Sequence, residues 1–186
     1  MTQTVTLFIA TSLDGMIASP DGGVDWLFTA GDYGFEPFLA SVDRIVSGRI
    51  TYEQSLGFGP WPYGDRPFHV FCSSARPLAR PEGGPWRIEQ EAEPVQQWLA
   101  RFKHEHKDRD GHIWLLGGAQ VAQACLAAGL VDAMELFVHP IVLGQGIALF
   151  TGSGRSDWRL AAHRAFDDGL LQLSYRLTSP PGPATA

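Results

Sequence analysis

Unbroken apolar runs alternate along this chain with stretches in which apolar residues recur every three to four positions. Val5 to Thr11 contains no Gly or Pro and runs into Ser12-Leu13-Asp14-Gly15 and then Pro20-Asp21-Gly22-Gly23, the pattern of a buried strand entering a long loop. Phe35, Phe38, Leu39 and Val42 fall at helical spacing, and Arg44 to Ser47 forms a short strand that closes on Gly48. Gly48-Arg49-Ile50-Thr51-Tyr52-Glu53 opens another short helix, followed by an irregular loop carrying Gly57, Gly59, Pro60, Pro62 and Gly64. Pro67 to Cys72 reads as the next strand with Ser73 and Ser74 at its end, and Trp86 to Glu89 as a further one.

The second half repeats the alternation. Val95, Trp98, Leu99 and Phe102 occupy i, i+3, i+4 and i+7 behind Pro94, which predicts an amphipathic helix over 94–106 with Pro in its first turn. Ile113 to Leu116 is strand-like, Ala119 to Ala128 is a helix ending at Gly129, and Ala133 to Val138 is a strand. Trp158 to Ala165 and Leu170 to Leu177 flank Asp167-Asp168-Gly169 and predict an antiparallel hairpin that closes the sheet. The order is that of an α/β chain, read as one domain over residues 1–178, with a Pro/Ala/Gly tail over 179–186 that need not be ordered.

Composition narrows the partners. The 186 residues are 45% hydrophobic and 18% charged, with a formal net charge of −6, so neither nucleic acid nor an anionic membrane is the expected partner. Any anion must be bound locally. Cys72 and Cys125 sit in element-like runs and read as reduced thiols. With no basic, apolar leader and no long apolar stretch, a cytoplasmic protein is expected.

Three strand ends concentrate the candidate chemistry. Gly48-Arg49-Ile50-Thr51, Ser73-Ser74-Ala75-Arg76 and Gly117-Gly118-Ala119-Gln120-Val121 each follow a strand, and in a mostly parallel sheet such ends share one edge, where ligands of open α/β sheets bind. Glycines at a strand-to-helix turn let phosphates approach free helix N–H groups, although Gly-Gly there is also an ordinary tight turn. Ser hydroxyls and the Arg49 and Arg76 guanidiniums can hold further phosphate oxygens. A dinucleotide with a third phosphate fits this inventory. His104, His106, Asp108 and Asp110 read as a solvated helix end, so no metal is expected, and no Gly-x-Ser-x-Gly elbow is present.

Ser12-Leu13-Asp14-Gly15, Gly48 to Glu53, Ser73-Ser74, Leu116 to Val121, Gly129-Leu130-Val131-Asp132 and His139 through Gly144 to Leu149-Phe150 occur in an order that resembles the dihydrofolate reductase superfamily. The resemblance is closest to stand-alone bacterial proteins grouped with the reductase domain of riboflavin-biosynthesis deaminase-reductases. It implies a dihydrofolate-reductase-like three-layer fold, with helices on both faces of a mostly parallel sheet and a C-terminal antiparallel hairpin. It also implies NADPH as cofactor. Gly48, Arg49, Thr51, Ser73 and Ser74 would hold the adenosine phosphates, and Gly117, Gly118, Ala119, Gln120 and Val121 the pyrophosphate. Arg49 and Arg76 favour NADPH over NADH, because no carboxylate lies beside them in sequence to hold a ribose diol.

For the reacting end, the carboxylates Asp14 and Glu36 are the candidate proton donors, against readings as a turn residue and a solvated first-turn charge. Trp26, Phe35, Phe38 and Val142 are candidates for an apolar substrate pocket or for core, and Trp61 is the more suggestive because its Gly/Pro-rich loop offers little core to join. His139 either touches the cofactor edge or is a hydrogen-bonded turn histidine. The resemblance implies a homodimeric reductase of a small heteroaromatic or imine-like molecule, with 5-amino-6-(5-phosphoribosylamino)uracil the leading substrate and dihydrofolate a lesser one. The alternative is a non-catalytic module binding NADPH or a pterin-like ligand.

Overall fold

The computed structural model describes residues 2–84, 86–152 and 154–180. Six parallel strands form most of the central sheet: β1 (Gln3–Thr11), β3 (Arg44–Gly48), β4 (Phe68–Phe71), β5 (Ile88–Glu91), β6 (Gly111–Gly117) and β7 (Ala133–Val138). A hairpin of β9 (Asp157–Ala165) and β10 (Leu171–Ser179) adds the two antiparallel members. The spatial order is β5-β4-β3-β6-β1-β7-β10-β9. A separate two-stranded ribbon pairs β2 (Met16–Ala18) with β8 (Ile147–Ala148).

Because successive strand residues point to opposite faces, each strand feeds two cores. Val5, Leu7 and Ile9 of β1 join Ile113 and Leu115 of β6 and Met134 and Leu136 of β7 beneath α3 (Val95–Glu105) and α4 (Ala119–Ala127). These helices contribute Val95, Trp98 and Leu99, and Val121, Ala122, Cys125 and Leu126. On the other face Ile45, Phe68, Val70 and Trp114 pack with Leu39 of α1 (Phe35–Ala40) and Tyr52 of α2 (Arg49–Ser55). The result is the expected three-layer arrangement. Leu7, Ile45, Phe68 and Leu115 are wholly buried, and each such side chain contributes about 1.5–3 kcal/mol of transfer free energy.

The elements follow the apolar periodicity to within about two residues at their ends, as where β1 begins at Gln3 rather than Val5 and β6 at Gly111 rather than Ile113. β5 begins at Ile88, two residues later than the Trp86 start expected, because Ile88 is the residue that pairs with Phe68 and fills the core, while Trp86 packs on Trp61. The β2–β8 ribbon was not expected: three residues against two leave no periodicity to read. Residues 181–186 of the expected tail lie outside the described residues, and β10 reaches Ser179. Among the described residues no helix is long and apolar enough to cross a membrane.

Candidate cofactor and substrate site

β4, β3 and β6 are neighbours in the sheet, so their C-terminal ends emerge side by side. They open into a cavity of about 570 Å³, lined at this end by Gly48, Arg49 and Thr51, by Cys72, Ser73 and Ser74, and by Gly118, Ala119, Gln120 and Val121. The three motifs singled out in sequence thus converge on one wall. The two glycine turns meet almost main chain to main chain: a Cβ on Gly118 would lie 2.8 Å from Thr51 Oγ1. Gly117, one step behind the cavity wall, has φ +113°, a conformation that side chains other than glycine's rarely adopt. No side chain caps α4, so its first-turn amides present unsatisfied donors and the positive end of the helix dipole to an anion.

The arginines are less free than the sequence implied. Arg49 donates from Nη1 to Glu53 Oε1 (3.0 Å), and from Nη2 to Cys72 Sγ (3.4 Å) and the Arg76 carbonyl. Its Nε is buried and has no partner among the described residues. Arg76, exposed and not among the residues that line the cavity, reaches the same Glu53 oxygen at 2.6 Å. No carboxylate lies beside the two arginines in sequence, but the fold brings Glu53, one helical turn beyond Arg49, between them.

The rest of the cavity wall is mostly apolar. Ile9 and Ala10 at the end of β1, Ile17 and Ala18 of β2, Val24, Leu27, Leu116 and Ile147 supply its aliphatic part, beside Phe58, Tyr63 and Phe71 and the polar Gln54 and Ser55. Neither candidate acid belongs to it. Asp14 is exposed and binds the Ser12 hydroxyl (2.6 Å) and the amides of Leu143 (3.1 Å) and Gly144 (2.8 Å), joining two loops. Those hydrogen bonds, Ser12's first, hold its carboxyl below the usual carboxylate range, the opposite of what a proton donor requires. Glu36 is exposed in the first turn of α1 and is the solvated alternative.

The aromatic candidates also lie elsewhere. Phe38 stacks on Phe8 at 4.1 Å and Phe35 packs edge-on to Trp114 at 5.9 Å, so both are core under α1. Trp61 does find a core: the loop between α2 and β4 folds its indole against Tyr63 (4.7 Å), Phe68 (5.2 Å) and Tyr52 (5.9 Å), and Nε1 donates to the Gly64 carbonyl. Val142 is 66% exposed on the loop after β7. Trp26 packs edge-on to His139 at 5.1 Å, and its buried Nε1 has no partner among the described residues. Ile17, Val24, Leu27 and Ile147 of the wall were missed by sequence reasoning because the apolar stretches that hold them, such as Met16-Ile17-Ala18, Trp26-Leu27-Phe28 and Ile147 to Phe150, are too short to show a periodicity.

One further cluster groups metal-type donors, His69, Glu89 and Glu91. Arg44 donates to His69 Nε2, so the ring proton sits on Nδ1 and is donated to Glu91 Oε1 at 2.8 Å. A metal on Nδ1 would force that proton onto Nε2, against the Arg44 guanidinium. The group is wired as a charge network across β3, β4 and β5.

Residues 97–172 match the family model of the RibD C-terminal domain. The uncharacterised Bacillus subtilis protein YwjB is 35% identical over 159 residues, covering 81% of this chain and 84% of its own. A Shewanella sp. PV-4 protein named for riboflavin biosynthesis superposes with a TM-score of 0.78 at 27% identity, over 95% of this chain and 99% of that one. The Thermotoga maritima diaminohydroxyphosphoribosylaminopyrimidine deaminase/5-amino-6-(5-phosphoribosylamino)uracil reductase shares the fold, with a TM-score of 0.68 at 16% identity over 95% of this chain and 57% of that one. The chain belongs to the RibD C-terminal domain family.

Proposed function

We propose that this protein is an NADPH-dependent reductase of a small heteroaromatic or imine-like molecule. The observation that carries the reading is a single cavity that joins a glycine-lined anion cradle to an aliphatic chamber. The cradle fits the cofactor: the first turn of α4 leaves its amides without a side-chain cap, and the neighbouring Arg49 Nε is buried with no partner among the described residues. Gly117, Gly118, Ala119, Gln120 and Val121 would hold the pyrophosphate, while Gly48, Arg49, Thr51, Ser73 and Ser74, with the exposed Arg76, would hold the adenosine phosphates. Bound there, NADPH supplies a hydride.

The chain's own contribution is position and dryness. Ile9, Ile17, Val24, Leu27 and Leu116 exclude water from the chamber, which strengthens the electrostatic interactions of a reacting ring. No carboxylate lines the cavity among the described residues, so none stands there to give the proton that accompanies the hydride. Family membership makes 5-amino-6-(5-phosphoribosylamino)uracil the first substrate to test. The homodimer expected from the resemblance would use the exposed outer strand β9, and a solution mass of one 20.3 kDa chain would refute it.

A second reading has an observation of its own. Because Asp14 and Glu36 both stand outside the cavity, a module that binds NADPH without turnover also fits. Titration with NADPH followed by tryptophan quenching, then loss of nicotinamide absorbance on adding the pyrimidine, separates the two. Binding with turnover supports the reductase, binding without turnover supports the module, and no binding overturns both.

A further inference from the structure

We propose that His139 is a positioning residue for the aliphatic chamber: its uncharged imidazole clasps the main chain at Phe28 and thereby sets Leu27 in the cavity wall. This rests on reading the chamber as the substrate end of the site. The segment 19–34 contains no helix or strand, yet it supplies Gly22, Val24 and Leu27 to the wall. Its shape therefore depends on a few fixed points. Gln54 holds the Gly22 carbonyl at 2.8 Å, Asp168 holds the Tyr33 hydroxyl, and between them the Phe28 amide donates to His139 Nε2 at 3.1 Å.

The protonation state of that clasp follows from its partners. His139 is 4% exposed, gripped edge-on between the Trp26 and Phe28 rings at 5.1 and 5.0 Å. Its Nδ1 faces the Phe137 carbonyl at 3.1 Å, which can only accept, so Nδ1 carries the proton. Nε2 must then offer a lone pair to the Phe28 amide. A second proton on the ring would set N–H against N–H and open the clasp. The charged side chain whose field reaches the ring is Asp168, on the β9–β10 turn, itself bound by the Tyr33 hydroxyl. Burial pushes the imidazole below the ordinary histidine range, while the Phe137 carbonyl and Asp168 pull the other way. The clasp is therefore closed at neutral pH and opens as pH falls through the lowered value.

Hydrogen exchange on the intact protein reads the clasp without a substrate. At about pH 7.5, His139→Leu should raise exchange roughly tenfold in peptides spanning 24–30, with α3 and α4 peptides unchanged. His139→Gln, whose amide oxygen can accept from the Phe28 amide, should stay within about threefold of wild type. Wild type taken through a pH series that descends below the ordinary histidine range, corrected for intrinsic exchange, should loosen in the same peptides, and His139→Leu should not respond further. Wild-type protection in His139→Leu, or a wild-type segment indifferent to pH, overturns the proposal. If His139→Leu fails to fold, the wild-type pH series and His139→Gln decide it. NADPH affinity measured in parallel should shift less than about threefold, since the clasp lies away from the cradle. Failure of NADPH to bind any form would strike the functional reading while the exchange data still judged the clasp.

Discussion

At one end of the cavity the wall is largely main chain, delivered by Gly48 and Gly118 at adjacent strand ends; at the other it is aliphatic side chain drawn from β1, β2, β8 and the 19–34 segment. The glycine end is held by strands paired on both sides and leaves no room for a side chain at Gly118, where a Cβ would lie 2.8 Å from Thr51 Oγ1. The aliphatic end takes its form from loops pinned at isolated points: Asp14 to Leu143 and Gly144, Gln54 to Gly22, and Phe28 to His139. A constant phosphate group suits the first kind of wall. The second can vary with substrate while the sheet stays the same.

The strongest way to break this contrast is to place a side chain where only main chain fits. In Gly118→Val the new Cβ meets Thr51 Oγ1 at 2.8 Å, and NADPH affinity should fall roughly 100-fold, about 2.7 kcal/mol, with the fold retained. Unchanged affinity by tryptophan quenching would mean that the cradle is a tight turn and nothing more. Trp61→Ala asks the converse question. Removing this half-buried indole from the Tyr52, Tyr63 and Phe68 cluster should cost about 2 kcal/mol in denaturant unfolding while leaving the NADPH affinity of the folded protein within about twofold. A loss of affinity larger than that would mean that Trp61 holds Phe58 and Tyr63 of its loop, which line the cavity, in place for the cofactor.

A smaller effect is expected of Arg49→Ala. The guanidinium is shared with Glu53, Cys72 and the Arg76 carbonyl, so only part of its hydrogen bonding is available to a phosphate. NADPH should weaken about tenfold and NADH, which lacks the extra phosphate, by less. Equal losses for the two cofactors would place Arg49 at the pyrophosphate and away from the adenosine ribose.

The same contrast explains what could be read in advance. Gly48-Arg49-Ile50-Thr51, Ser73-Ser74 and Gly117-Gly118 were legible because each is a local string at the end of a strand, and a parallel sheet brings such ends together without further information. Nothing local marks Leu27 or Ile147 as wall, because each owes its place to contacts made by distant residues. Trp61 was misjudged for a related reason: a Gly/Pro-rich loop reads as exposed, and only the folded chain shows it lying across Tyr52 and Phe68. Glu53 is an intermediate case. Its spacing from Arg49 is the ordinary helical i, i+4 pair, but the approach of Arg76 to the same oxygen needs the fold.

The smallest effect expected concerns Asp14, and its pH dependence separates a tether from an acid. The Ser12 hydroxyl and the Leu143 and Gly144 amides favour the ionised carboxylate, holding its titration below the usual range. A group lowered on folding stabilises the native state fully above the unfolded value of about 3.9, and that contribution disappears as pH falls through the folded value. Asp14→Asn should therefore lower Tm by a few degrees between about pH 5 and 8, with the gap to wild type closing below about pH 4. Glu36→Gln, which removes an exposed charge with no partner among the described residues, should leave Tm unchanged across the range. In assays of nicotinamide oxidation both variants should turn over as wild type does at neutral pH. A loss of turnover at constant Tm in Asp14→Asn would return that carboxylate to the chemistry and make the loops it joins part of the reacting end.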